Sequence, residues 1–170
     1  MKTLETKRLI LREWQDSDAN DYFEIYSNSD VENAGAKICE SMHESLESIH
    51  QLIQSQESWA IVSKEHEKVI GSISLCDINR HDRYKEMEYV ISMDYQNQGF
   101  ATEAVKCVLD YAFTELDLLV VAVCHYSSNI KSKRIIEKCG FTYEGTLRKY
   151  SRNLTDSVRY SMIKDEWENL

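Results

Sequence analysis

The amino-acid sequence predicts a mixed α/β (α+β) fold, in which about four helices pack on a mixed, mostly antiparallel sheet of about six to seven strands. Three segments of strand character, 58–64, 68–78 and 83–93, are joined by the short polar turns 65–67 and 79–82 and therefore form an antiparallel meander. A strongly periodic helix and the apolar segment 118–124 follow. This β-α-β succession predicts one parallel pair of strands within the sheet.

The N-terminal third is predicted to contribute one strand and two helices. Leu9 and Leu11 alternate with polar neighbours, so residues 8–14 form a strand. Asp16 or Ser17 caps a helix that runs to about residue 27, because short polar side chains accept hydrogen bonds from first-turn amides. A second helix, over about 42–55, is predicted from apolar residues at helical spacing: Leu46, Ile49, Leu52 and Ile53.

The C-terminal half supplies the crossover helix, a buried strand and a hairpin. The helix that follows Gly99 has a single apolar face, formed by Ala101, Ala104, Val105, Val108, Leu109, Ala112 and Phe113. Residues 118–124 are continuously apolar and partly β-branched, as is typical of a strand covered on both faces. A further helix over about 129–138 ends at Gly140, and residues 141–150 and 157–167 form a hairpin around 152–156.

Composition limits the classes of function. A chain of 170 residues with 42% apolar side chains predicts one domain over 1–170. The formal charge of -9 disfavours nucleic acid as a partner and favours a cationic or amine-bearing one. Neither a signal peptide nor an apolar segment of membrane-spanning length is found, so we expect a cytoplasmic protein with no membrane partner. Five scattered cysteines without a C-x-x-C pair predict no metal and no disulfide framework.

The turn before the crossover helix is a candidate anion site. Residues 96–101 lie between a strand end and a helix start, where backbone N–H groups lack intrahelical partners and the helix dipole is positive. Gly99 permits close backbone approach, and Ala101 leaves room for phosphate oxygens. No G-K-[ST] follows, so the turn is not a P-loop. The alternative is an ordinary tight turn between a strand and a helix.

A second segment favours the anion site. Asn129 begins a helix just past the buried parallel strand, so both helix N-termini should lie beside one groove between the two parallel strands, which we expect to part at 91–98 and 118–125. Together the segments ETKRLILREW, EMEYVISMDYQNQGFATEAV with its Q-x-x-G-x-A signature, N-x-x-S, EKCGF and EGTLRK resemble the GNAT superfamily of N-acetyltransferases. More narrowly, they resemble the branch that contains the ribosomal-protein N-terminal (alanine/serine) acetyltransferases.

This resemblance implies a GNAT-like fold with a splayed sheet and a site for acetyl-CoA, used as cosubstrate. The backbone of Ile91 and Met93 would pair with the pantetheine amides like an additional strand. The diphosphate would be bound by the backbone amides of Gln98, Gly99, Phe100 and Ala101 and by the hydroxyl of Thr102. Asn129 would contact the pantetheine arm, with Lys131 and Arg134 near the phosphates; the alternative for this helix is a solvated face.

The resemblance also directs attention to groups that could move protons. An amine acceptor must lose a proton before it attacks a thioester, and Glu86 and Glu88 share one strand face, where each could raise the pKa of the other. Their alternative is an exposed edge that pairs with Lys85 or Arg83. The family's usual tyrosine donor to the CoA sulfur is replaced by Ile136. Its ribosomal branch implies Ser132 instead, unless that hydroxyl merely caps the helix.

The predicted function is transfer of the acetyl group of acetyl-CoA to a primary amine, on a protein N-terminus or a small molecule, by direct transfer. One alternative is a CoA-binding sensor or scaffold with little turnover, since no acidic residue lies near Tyr150 and Ser151, where the ribosomal branch can carry one. A nucleophilic Cys124 and an interaction protein that binds no CoA are further alternatives. Monomer and homodimer both stay open, because an edge such as the final strand could pair between chains or simply end.

Overall fold

The sheet contains the predicted meander and parallel pair. The computed structural model describes residues 1–33, 35–78 and 81–170, so that residues 79 and 80 of the predicted turn 79–82 lie outside the described residues. Within them, eight strands form one sheet in the order β1-β2-β3-β4-β5-β6-β8-β7. The strands are β1 (Leu4–Glu5), β2 (Leu9–Arg12), β3 (Ser58–Ser63), β4 (Lys68–Asp77), β5 (Tyr84–Ile91), β6 (Val120–Tyr126), β7 (Thr142–Leu147) and β8 (Ser157–Ile163).

Only the β5–β6 pair is parallel among the strand pairs of the described chain. It arises because the helix between these strands returns the chain to the same end of the sheet. The final strand β8 lies between β6 and β7, and β7 forms the edge. The expectation that the final strand is an exposed edge is therefore wrong, since β8 pairs on both sides.

The helices agree with the apolar periodicity of the sequence. They are α1 (Ala19–Tyr26), α2 (Asp30–Asn33), α3 (Met42–Ser55), α4 (Phe100–Thr114), α5 (Ile130–Lys138) and α6 (Lys164–Glu168). The first predicted helix begins with a 3-10 turn, Asp16–Asp18, rather than an Asp16 or Ser17 cap. Asp18 causes this, because its buried carboxylate accepts hydrogen bonds from the Gln15 amide (2.9 Å) and the Arg12 guanidinium (2.8 Å) and so closes the turn early.

Two apolar clusters fix which helices cover which face. The cluster on the α4 face contains Met87, with Tyr89 and Ile91 packed against it. The cluster on the opposite face contains residues of α1 and α3, such as Tyr26 and Ile49, with Val90 packed against it. Successive residues of β5 thus alternate between the two faces. The mixed α/β class is confirmed; the short elements β1, α2 and α6 are too brief to leave a periodic signal in the sequence.

Candidate functional site

A cleft opens where the two parallel strands separate. Their pairing runs from Tyr84 with Val120 to Met87 with Val123 and then stops. Beyond Met87, β5 continues to Ile91 with β4 as its partner, while β6 continues to Tyr126 with β8 as its partner. Each strand therefore follows its antiparallel neighbour, and sheet twist moves the two apart. The cleft between them has a volume of about 900 Å³.

The strands part earlier than the sequence analysis expected. The closed end of the cleft, here called the vertex, is the pair Met87 and Val123. On β5 the gap begins at Glu88, before the expected range 91–98, and on β6 it begins at Cys124, within the expected range 118–125. Beyond this point β5 stays with β4 as far as Ile91 and β6 stays with β8 as far as Tyr126, so the facing edges of β5 and β6 are left without strand partners. The early parting brings side chains of β5 itself to the cleft wall.

The predicted anion site lies at the outer end of this cleft. Gly99 caps α4 with φ +82° and ψ 2°, in the left-handed region, and the preceding Asn97 also has a positive φ of +60°. The amides of Phe100, Ala101 and Thr102 are in the first helical turn and have no intrahelical acceptor. All three residues and Gly99 line the cleft. The Phe100 ring is only 4% exposed, so its side chain anchors the turn in the core.

Gln98 is placed differently from the other residues of this turn. It does not line the cleft, and its side-chain amide donates to the Asp94 carbonyl at 3.1 Å. Its own carbonyl accepts a hydrogen bond from Arg8 Nη1 at 2.9 Å. The guanidinium of Arg8 also lies over the Phe100 ring, 4.4 Å from its centroid, and pairs with Glu103 at 2.6 Å. Arg8 and Glu103 thus support the turn that contains Gly99, a role that was not predicted from the sequence.

The predicted residues of α5 also reach the cleft. Asn129 caps the helix, since its Oδ1 accepts the Ser132 amide at 3.0 Å. Lys131 and Arg134 are exposed and line the cleft. The Lys131 ammonium donates to Gln96 Oε1 at 2.8 Å, and Gln96 Nε2 donates to the Ile91 carbonyl at 3.1 Å. These contacts join α5 to the end of β5 across the mouth of the cleft.

Ile91 and Met93 lie at the end of the free strand edge. Ile91 lines the cleft, and Met93 is 48% exposed with its sulfur accepting a hydrogen bond from Asn28 Nδ2 at 3.0 Å. Met93 is already in a 3-10 turn, Met93–Tyr95, rather than in β5. In the described chain, the gap-facing side of β5 has no strand partner beyond Met87. Apart from the Ile91 carbonyl, which accepts from Gln96, its backbone groups are available to a ligand with amides of its own.

Glu86 and Glu88 share one face of β5, as predicted, but have different surroundings. Glu86 is 3.5 Å from Arg159 Nη1, and the same guanidinium contacts the Tyr84 hydroxyl and Glu144. The Glu86 side chain is only 16% exposed. Glu86 is thus tied into a polar cluster on the sheet surface.

The alternative of an edge pairing with Arg83 or Lys85 is not found in the structure. Arg83 pairs with Asp117 at 2.8 Å, and Lys85 approaches Glu57 at 3.8 Å. Both basic side chains are therefore engaged with acidic groups other than Glu86 and Glu88. The two candidate carboxylates belong to the cleft rather than to a solvated ion pair on the strand edge.

Glu88 is the first residue of β5 beyond the vertex, is exposed and lines the cleft. The surrounding cleft walls desolvate its carboxylate and raise its pKa, and the negative charge of Glu86 raises the pKa further. Arg152, from the loop between β7 and β8, acts in the opposite direction. A carboxylate with a raised pKa in a cleft is suited to accept a proton from an amine.

Tyr89, the next residue along β5, lies on the opposite face and contacts α5. Its hydroxyl is 2.8 Å from the Ser132 hydroxyl, and both residues line the cleft. Burial raises the pKa of Tyr89, although the hydrogen bond with Ser132 acts against that rise. Ile136 is 1% exposed and belongs to the apolar core. Ser132 thus presents a hydroxyl to the cleft, whereas its capping role is carried by its backbone amide.

The remaining wall comes from α1, the segment after it and the β7–β8 loop. Tyr22, Tyr26 and Tyr150 line the cleft, and the buried Tyr26 hydroxyl is 2.6 Å from Ser72 Oγ. Cys124 also lines it, but desolvation and the charge of Glu86 raise the pKa of its thiol to about 12. That thiol is protonated near neutral pH and is a poor nucleophile.

Within residues 1–33, 35–78 and 81–170, no group of three or more His, Cys, Asp or Glu side chains is arranged to hold a metal ion. The helices of that same part of the chain include none that is both long and apolar enough to cross a membrane.

Comparison with known proteins agrees with this geometry. A family model described as an acetyltransferase (GNAT) domain matches residues 8–142. YoaA of Bacillus subtilis (strain 168), named an uncharacterized N-acetyltransferase, is 33% identical over 95% of this chain and 96% of its own length. Among solved structures, a ribosomal-protein-S5-alanine acetyltransferase from Vibrio fischeri has a TM-score of 0.80 at 23% identity, covering 98% of this chain and 99% of that chain.

A spermidine N-acetyltransferase from Vibrio cholerae, solved in complex with CoA and spermine, has a TM-score of 0.82 at 24% identity. It covers 96% of this chain and 100% of that chain. These likenesses confirm the predicted fold class. YdaF of Bacillus subtilis (strain 168), named a putative ribosomal N-acetyltransferase, is 38% identical over 58% of this chain and 55% of its own length, in agreement with the predicted resemblance to the ribosomal branch.

Proposed function

Since the chain belongs to the GNAT acetyltransferase family and is an acetyl-CoA-dependent N-acetyltransferase, we propose that it moves the acetyl group of acetyl-CoA to a primary amine by direct transfer. The acceptor is an amine-bearing small molecule or a peptide N-terminus, and residues 1–170 act as one acyltransferase domain. The observation that carries this proposal is the parting of β5 and β6 at the vertex, with a carboxylate beside it.

The coenzyme would lie in the cleft between the separated strands. Its pantetheine amides would pair with the gap-facing edge of β5 up to Ile91, and the Gln96 side chain would then have to release the Ile91 carbonyl. The diphosphate would meet the free amides of the first turn of α4, from Phe100 to Thr102. The cationic side chains of Lys131 and Arg134 would face the phosphates from α5.

Glu88 is the better candidate for the general base. Glu86 is held by Arg159, whereas Glu88 faces the cleft, and its pKa is raised by desolvation and by Glu86. An amine bound beside Glu88 would pass it one proton and then attack the thioester carbonyl from the α1–α3 face of the sheet. A thiolate route through Cys124 is disfavoured because the raised pKa keeps that thiol protonated.

The first test is release of CoA thiol from acetyl-CoA in the presence of a panel of amines, including polyamines and peptides with free N-termini. Steady thiol release above the rate of hydrolysis supports the transferase. Binding of acetyl-CoA without release over the whole panel supports the alternative, a CoA-binding sensor or scaffold. Mass spectrometry of the reaction mixture identifies the acetylated amine.

The second test compares Glu88→Gln with Glu86→Gln on the best acceptor. Removal of a general base lowers the rate roughly 10²–10⁴-fold, so Glu88→Gln should be slower by about that factor. Its activity should also no longer rise with pH. Glu86→Gln removes a negative charge beside Glu88, so the acidic limb of the pH profile should move to lower pH while most activity stays. Equal losses in both variants would contradict the assignment of Glu88.

A further inference from the structure

Two chemically different side chains lie side by side at the vertex of the cleft. Glu88 and Tyr89 are the first two residues of β5 beyond its last pairing with β6. Because neighbours in a strand point to opposite faces, Glu88 belongs to the α1–α3 side, and Tyr89 packs on the α4–α5 side. The gap in the sheet allows one molecule in the cleft to contact both. This arrangement suits a reaction in which an amine arrives on one face and a thiol leaves on the other.

The Tyr89 hydroxyl has a definite partner on that second side. It is 2.8 Å from Ser132 Oγ and 3.4 Å from the Ser132 carbonyl. A phenol is far more acidic than an aliphatic alcohol, with an ordinary pKa of about 10, so the stronger donor in this pair is Tyr89. A serine hydroxyl has one hydrogen and two lone pairs. If Ser132 Oγ accepts from Tyr89, its own hydrogen has to point elsewhere.

We propose that Tyr89 is a positioning residue that directs the Ser132 hydroxyl hydrogen into the cleft, toward the sulfur of CoA. This inference rests on the proposed transferase function and deepens it. Ser132 is the group that touches the sulfur, and Tyr89 acts through it. The two hydroxyls take the place of the tyrosine donor that Ile136 replaces in this chain.

The chemical step balances without proton loss from either hydroxyl. Glu88 takes one proton from the ammonium group, the nitrogen lone pair forms a bond to the thioester carbon, and the carbon–sulfur bond breaks with its electron pair on sulfur. Ser132 donates a hydrogen bond to that sulfur as its charge develops. The second proton leaving the nitrogen converts the thiolate to the thiol, so the net products are the amide, CoA and one proton on Glu88.

The main test is a double-mutant cycle on kcat with Tyr89→Phe, Ser132→Ala and the double variant. Loss of one oriented hydrogen bond to a charged group should lower kcat about tenfold for Tyr89→Phe. The KM for acetyl-CoA should change little. If Tyr89 acts through Ser132, Tyr89→Phe should have almost no effect in the Ser132→Ala background. An undiminished loss in that background would overturn the proposal.

Tyr143→Phe is the matched control. Tyr143 lies on β7, outside the cleft, is 56% exposed, and its hydroxyl also contacts a hydroxyl, that of Thr146, at 3.3 Å. The Tyr143→Phe variant therefore removes the same kind of contact between two hydroxyls, at a site that the proposal does not involve. Its kcat should match that of the wild type. A tenfold loss in this control would show that the assay responds to general stability instead, and would remove the support for Tyr89.

A binding experiment separates this inference from the proposed function. Calorimetry compares the binding of CoA with that of desulfo-CoA, which lacks the sulfur. Tyr89→Phe and Ser132→Ala should each weaken CoA several-fold and leave desulfo-CoA unchanged. Equal weakening of both ligands would indicate a packing role and overturn the inference. If the wild type acetylates no amine but these shifts are found, the transferase proposal fails while the contact with sulfur stands.

Discussion

Replacement of Gly99 by alanine tests the anion site most directly. The residue has φ +82°, a conformation that costs an L-residue about 1–2 kcal/mol. A Cβ atom built there meets Arg8 Nη2 at 3.4 Å, an ordinary contact with the end of a flexible side chain. The loss of stability therefore comes only from the unfavourable backbone conformation of an alanine at this φ. For a chain of this length, about 1–2 kcal/mol lowers the melting temperature by roughly 2–8 °C.

The effect on coenzyme binding is expected to be separate and of similar size. The added methyl group lies at the N-terminus of α4, where the backbone must approach the diphosphate closely. Loss of about one hydrogen bond to a charged group weakens binding about tenfold, or by about 1.4 kcal/mol. At CoA equal to 100 times the wild-type Kd, stabilisation by the ligand should fall from about 2.7 to about 1.4 kcal/mol.

The assay is thermal denaturation with and without CoA, together with calorimetry of CoA and of pantetheine, which has no diphosphate. Gly145→Ala is the matched control, because Gly145 also has a positive φ, +154°, and a Cβ there meets nothing within 4 Å. Gly145 does not line the cleft. Gly99→Ala should weaken CoA and spare pantetheine. Wild-type affinity for CoA, or an equal loss for pantetheine, would refute the diphosphate assignment.

Three further changes test the fold and the chemistry. Gly71→Ala places a Cβ 2.2 Å from the Val90 carbonyl oxygen, so overpacking should cost about 3 kcal/mol and lower the melting temperature by roughly 6–12 °C. Burial disfavours the ionised form of Glu103, but hydrogen bonds from Thr6 and Arg8 outweigh it and lower its pKa, so the stabilisation exists above pH 4.5 and is lost as pH falls. In Glu103→Gln, the free energy of unfolding measured by urea denaturation should therefore fall less than in the wild type as the pH is lowered below 4.5. Cys124→Ala should keep kcat/KM within about threefold of the wild type, because a thiol with its pKa raised to about 12 is no nucleophile; loss of activity and trapping of an acetylated Cys124 would contradict this.

The meander, the crossover helix and the tight turn before it could be predicted because their signals are local. Short polar turns determine antiparallel neighbours, and the single apolar face of α4 determines which side packs on the sheet. Gly99 and Asn129 each directly precede a segment with helical character, which predicted two helix N-termini, and both residues line the cleft. The order of the sequence segments that resemble the GNAT superfamily then favoured a coenzyme site over an ordinary turn.

What could not be predicted depends on contacts between distant residues. Arg8 binds the Gln98 carbonyl and the Glu103 carboxylate, which lie 90 and 95 positions further along the chain, and no periodic pattern encodes these contacts. The different surroundings of Glu86 and Glu88 likewise depend on Arg159, which β8 brings across β6 to reach β5. Sequence reasoning placed both carboxylates on one face but had no means to distinguish them.

The parting of the strands connects stability to ligand binding. In the described chain, β5 beyond Met87 and β6 beyond Val123 each have a strand partner on one side only, and the edges between them face the cleft. Such an edge is tolerated only while water or another chain satisfies its backbone groups. A ligand that carries its own amides supplies those partners without rearrangement of the sheet. The end of β5 should therefore gain more protection from amide hydrogen exchange on coenzyme binding than β3, which is paired on both sides in either state.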